Sequence, residues 1–184
     1  MMRASETMPL SESVKAQIRE AFADVPYPGD GSLINSNEGD EPFRVENDFR
    51  GERDWRALDP EFIDQSPGGL ASALSFFSHE AFRFYLPAYL IADLDGGLQR
   101  VNPVFHLTHG LDESSRREPI NPQRYGDKRW ADFARERFGT FSHEQAAAVV
   151  AYLTLKSPNE CERNRIEEAL RNYWNERATS SGKD

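Results

Sequence analysis

The closest pair of histidines in the chain is His106-Leu107-Thr108-His109. On a helix, that spacing would bring two imidazoles together as ligands for a metal ion. Pro103 before the pair and Gly110 after it point instead to strand or coil, in which the rings face opposite ways, so no metal site is expected there. Phe77-Ser78-His79-Glu80 and Phe141-Ser142-His143-Glu144 repeat one tetrapeptide, and their histidines would share a site only if two helix starts met. Each copy reads more simply as a serine cap with an acid near the positive end of a helix. Cys161 is the single cysteine, which excludes an internal disulfide and a cysteine-rich zinc site. It falls in the first turn of a predicted helix, yet no histidine stands near it in sequence to activate the thiol. There is no glycine-flanked serine elbow of the hydrolase kind. Tyr27-Pro28-Gly29-Asp30-Gly31 lacks the lysine and glycine spacing of a phosphate loop and reads as a turn, with Asp30, Glu38, Asp40 and Glu41 nearby to repel an anion.

One charge is harder to place. Between Ala81 and Ala92 the chain is apolar and aromatic apart from Arg83, which stands between Phe82 and Phe84. A guanidinium cannot shed its proton, so it must snorkel to water, pair with an acid such as Asp48, Asp54 or Asp93, or line a ligand pocket. Pro87 in the same run removes the donor that would bond the carbonyl of Arg83 and predicts a kink. If the core holds a pocket, the sequence places it at this turn. Arg83 would hold an anionic group there, with Tyr85 and Tyr89 as hydrogen-bond donors.

Charge along the chain is uneven. Asp30 to Asp48 is mostly acidic, whereas Arg116, Arg117, Arg124, Lys128, Arg129, Arg135 and Arg137 gather later. These segments read either as solvated faces that compensate each other or as two partner surfaces. In the second reading the acidic loop with Asp30, Asp40 and Glu41 would meet a basic protein, or the arginine-rich part would meet a phosphate or carboxylate. The net charge of -9 works against unaided contact with nucleic acid or an anionic membrane.

The elements that must position these residues follow from periodicity and capping. Leu10 to Val25 reads as an amphipathic helix ended by Pro26, and Asp59-Pro60 opens a short helix through Ile63. Ser78 caps the central apolar helix, which Asp95-Gly96-Gly97 ends. Trp130, Phe133, Ala134, Arg137 and Phe138 repeat at helical spacing in a helix capped by Asp127, and Ser142 with Gln145 forms a capping box for the next. Ser157-Pro158 opens a last helix carrying Ile166, Ala169, Leu170, Tyr173 and Trp174. Phe43 and Val45 suggest one short strand, and Leu98 to Leu107 another, confined by Pro103 to an edge. The expected architecture is all-α or mainly α. It has roughly six helices around a central apolar helix kinked at Pro87, with at most a short strand or hairpin in the connections. Residues 1–9 read as a flexible leader, 10–176 as one globular domain and 177–184 as a disordered tail. The opening residues have no apolar core of a secretory signal and the central run is too short to cross a bilayer, which suggests a cytoplasmic protein.

Several of these residues carry a resemblance. Tyr27-Pro28-Gly29-Asp30, Trp55, Ala73-Leu74-Ser75-Phe76-Phe77-Ser78 and Tyr85-Leu86-Pro87-Ala88-Tyr89-Leu90, followed by Phe141-Ser142, Gln145 and Leu153, resemble an uncharacterised bacterial family of small cytoplasmic proteins. The resemblance spans Leu10 to Leu155 and implies a bacterial origin, with no activity, cofactor or catalytic residue to transfer. The expectation from sequence is thus a non-enzymatic protein whose acidic surface engages a basic partner, in the manner of an immunity or regulatory factor. The alternative is a small-ligand binder or enzyme with its pocket at Arg83 and Pro87. No cofactor is expected in either case.

Overall fold

The computed structural model describes residues 9–69 and 71–180. The leader expected at 1–9 lies outside them except for Pro9. The fold is all-α, and among the described residues the only β pairings are two isolated bridges, Ile34 with Phe77 and Pro119 with Arg129. In chain order the helices are α1 (Leu10–Ala21), α2 (Glu41–Phe49), α3 (Pro60–Gln65), α4 (Ala73–Phe76), α5 (His79–Leu94) and α6 (Pro103–Thr108). They continue with α7 (Pro122–Tyr125), α8 (Trp130–Phe138), α9 (His143–Lys156), α10 (Arg163–Ala169) and α11 (Asn175–Thr179). A π turn over Leu170–Trp174 joins the last two helices.

α5 occupies the centre, as its composition requires. It packs against α1, α3, α6 and α8, and Phe82, Tyr85, Leu86, Tyr89 and Leu90 are fully buried. Ser78 caps it, its hydroxyl accepting from Ala81 N at 3.0 Å and donating to Ser32 O at 2.6 Å. The helix runs unbroken through Pro87. An interior proline costs about 3 kcal/mol, and burial of apolar side chains on every side of α5 outweighs it.

The two expected strands are helices instead. Phe43 and Val45 belong to α2, where Pro42 stands in the first turn and Val45 and Phe49 are buried on one face. Pro103, read from sequence as an edge-strand residue, opens α6, and Asn102 caps it by accepting from Phe105 N at 3.2 Å. Downstream, Ser157-Pro158 does not start a helix. The chain turns there, and α10 begins at Arg163. Residues 177–179, expected to be disordered, close α11, because the Arg177 guanidinium donates to the carbonyls of Gly139 and Phe141. Residues 181–184 lie outside the described ones.

Two further devices place the elements that matter below. The buried Asp64 of α3 accepts from Arg100 N and Val101 N at 2.9 and 3.0 Å, tying down the connection that leads into α6. Gly110, after α6, has φ +86°, and a Cβ there would lie 2.5 Å from Trp130 O. Only glycine lets the start of α8 approach so closely.

Candidate functional site

The residues singled out from sequence separate in space. Tyr85 is fully buried, stacks on Phe77 with centroids 5.0 Å apart, and donates to Glu52 O at 2.8 Å. Burial holds its phenol well above the usual value. Tyr89 is also fully buried, and its hydroxyl has no partner among the described residues. Arg83 is half-buried and donates from Nε to Gln145 Oε1 at 2.8 Å. Gln145 Oε1 also accepts from Ser142 N at 3.1 Å, and its Nε2 donates to Ala21 O at 3.1 Å, so Arg83 joins a polar clamp between α1, α5 and α9. Around α5 these side chains fill the core.

The acidic residues are divided too. Asp30 accepts from the Tyr27 hydroxyl at 2.5 Å and from Gly51 N at 2.9 Å, bonds that hold its carboxyl below its ordinary value. Glu38 pairs with Arg124 at 2.8 Å, so the acidic and arginine-rich segments meet each other here. Asp40 and Glu41 stand exposed at the start of α2. Cys161 is exposed in the turn before α10. Among the described residues no three His, Cys, Asp or Glu side chains converge in a way that could hold a metal ion.

An aromatic-walled cavity of ≈ 370 Å³ lies elsewhere, between α4, α6, α7 and α8, and a second, polar hollow of ≈ 490 Å³ opens between α1 and the start of α9, lined by Glu20, Asp24 and Glu144. Phe76 comes from α4, Phe105 and His106 from α6, Tyr125 from α7, and Trp130 and Phe133 from α8. Asn35 and Glu38 reach it from the loop before α2, and the Glu38–Arg124 ion pair stands at its edge. Because α6 is a helix, His106 and His109 both line the cavity, where the sequence reading had turned them to opposite faces. His109 stacks on Phe105, with centroids 4.9 Å apart, and meets Trp130 at 4.7 Å. His79 packs edge-on against Phe133 at 5.4 Å.

Arg137 stands at the inner wall, 4% exposed. Its guanidinium lies 4.4 Å from the centre of the Phe82 ring and 4.7 Å from that of Phe133. Nη1 donates to Leu74 O at 3.1 Å and Nη2 to Phe77 O at 3.0 Å, while Nε is buried without an acceptor. Burial pulls its pKa down to about 9. The nearby imidazoles are held neutral. His106 is lowered to about 3 by burial, with Arg137 and His109 adding to the effect. His79 is lowered by burial and then by Arg137, and His109 by burial.

Sequence reasoning counted Arg137 within the arginine-rich segment without singling it out, although a signal was present. Along Trp130, Phe133, Ala134, Arg137 and Phe138, the arginine occupies a position on the apolar stripe of α8, where a solvated charge does not belong. Read alone, each candidate arginine had an aromatic setting. Only the structure puts empty volume beside one of them.

No curated protein and no solved structure matches the chain. A family model does match, over residues 10–178. The chain therefore belongs to the family of unknown function DUF6714.

Proposed function

We propose that this protein binds a flat, largely apolar small molecule in the cavity between α4, α6 and α8. The observation that carries the reading is a cavity of ≈ 370 Å³ walled by aromatic side chains from separate helices. Small-molecule sites typically run from about 300 to 1,000 Å³ and combine apolar walls with a few convergent polar groups. Aromatic faces such as Phe105, Trp130 and Phe133 suit stacking against a planar ligand. The polar groups on hand include His106, His109 and Arg137. A basic protein docked on the acidic loop is less well supported, since Asp30 and Glu38 already have partners within the chain.

Trp130 provides the test, because Trp55 and Trp174 are buried away from the cavity lining. A panel of neutral and anionic bicyclic aromatic compounds is titrated while tryptophan fluorescence and melting temperature are followed. Saturable quenching with a raised melting temperature is expected for at least one compound. The effect should vanish in Ser75→Trp, which places a bulky ring at an exposed position of the lining. A panel without effect on the wild-type chain, or binding undiminished by Ser75→Trp, overturns the reading.

A further inference from the structure

The cavity holds a cation with no counter-ion. Among the described residues no carboxylate pairs with Arg137, although nine other basic–acidic pairs lie within 4.0 Å. Its two acceptors are neutral carbonyls, and the second hydrogens on Nη1 and Nη2 have no acceptor among those residues. Buried charges are normally paired, because removing an ion from water is expensive unless an opposite charge or several hydrogen bonds replace the lost hydration. Two carbonyls and two ring faces replace part of it.

We infer that the ligand of this cavity carries a carboxylate, which Arg137 neutralises while the aromatic walls hold the rest of the molecule. The inference rests on the cavity reading above and deepens it. Charge balance selects a monoanion. Of the cationic groups lining the cavity, Arg124 is already paired with Glu38, so Arg137 contributes the single uncompensated charge. The three surrounding imidazoles, kept neutral by burial, add no charge. A phosphate dianion would leave a negative charge in an apolar enclosure. A carboxylate would leave none, and its two oxygens suit the planar donor edge of a guanidinium. His106 and His109, as neutral rings, can each still donate one hydrogen bond.

The test compares 2-naphthoate with the neutral, nearly isosteric 2-naphthamide on the wild-type chain, by calorimetry and Trp130 quenching, with 2-naphthyl phosphate as a third probe. Naphthoate is expected to bind at least tenfold more tightly than either. In Arg137→Met the preference of naphthoate over the amide should collapse. Amide binding equal to or tighter than naphthoate overturns the inference and leaves the cavity reading standing, as does tighter binding of the phosphate. Absence of naphthoate binding, while another panel compound binds in a manner blocked by Ser75→Trp, has the same meaning. Failure of the whole panel removes both. Because the matched pair is read on the wild-type chain, the inference is decided even if Arg137→Met does not fold.

Discussion

Arg83 and Arg137 are both arginines set among aromatic rings, and they have opposite surroundings. Arg83 extends from the packed centre of α5 to a neutral amide, and the tyrosines on its helix are buried in solid contact. Arg137 is the more deeply buried of the two and borders a cavity. An awkward charge in an apolar helix is therefore a sign of a constrained position, and becomes a sign of a binding position only where unfilled space adjoins it. The α5 region should respond to substitution through stability, and the α8 region through ligand affinity.

The largest effect is expected from Tyr85→Ala. Removing a fully buried ring that contacts Phe49, Phe77 and Phe84 should lower unfolding free energy by about 3–5 kcal/mol in urea titrations. If the variant loses little stability, or loses affinity at the cavity without losing stability, the contrast between the regions fails. Gly110→Ala comes next, since its new Cβ would collide with Trp130 O at a positive φ. A loss of about 2 kcal/mol is expected, together with a change in Trp130 emission as α8 shifts from α6. Unchanged emission would show that the cavity wall does not depend on this approach.

A third measurement uses pH. His106 has its folded pKa lowered from 6.5 to about 3, so between those values the unfolded chain binds the proton that the folded chain refuses. Stability contributed by the neutral ring is complete above about pH 6.5 and is lost as pH falls towards 3, with a slope of at most ~1.4 kcal/mol per pH unit. His79 and His109 shift in the same direction. The melting temperature should fall through this window, and His106→Gln should flatten the slope. A slope unaltered by the substitution would remove His106 from the buried wall. The smallest effect is expected for Arg83→Met. The lost bond to Gln145 is offset by relief of a partly buried charge, so stability should change by about 1 kcal/mol or less. Binding of any cavity ligand should be unaltered, and a weakened ligand in Arg83→Met would return the site to α5.

Much of the helical framework was legible from caps and apolar spacing. Ser78 and Ser142 cap as their sequences predict, and α5 is buried on every side. Two of the local readings that failed did so at prolines. Pro42 and Pro103 each serve as first-turn residues of short helices, but an isolated proline beside alternating apolar residues fits an edge strand equally well. That ambiguity had a consequence at the candidate site, because the helical form of α6 is what turns His106 and His109 towards one cavity.

By itself the sequence determined the all-α or mainly α class, the central place of the Ala81–Ala92 run and the presence of arginines where apolar side chains were due. Those properties follow from short-range periodicity, capping and the cost of burying charge, all of which act within a few residues. Which arginine adjoins space was decided by tertiary structure alone. Tyr85 is fully buried against Phe49, Phe77 and Phe84, whereas Gly110 lets the start of α8 approach the end of α6 where Phe76 of α4 and Tyr125 of α7 join them in lining a cavity. A cavity is a property of surfaces brought together from distant parts of the chain, and no local pattern encodes the volume they fail to fill.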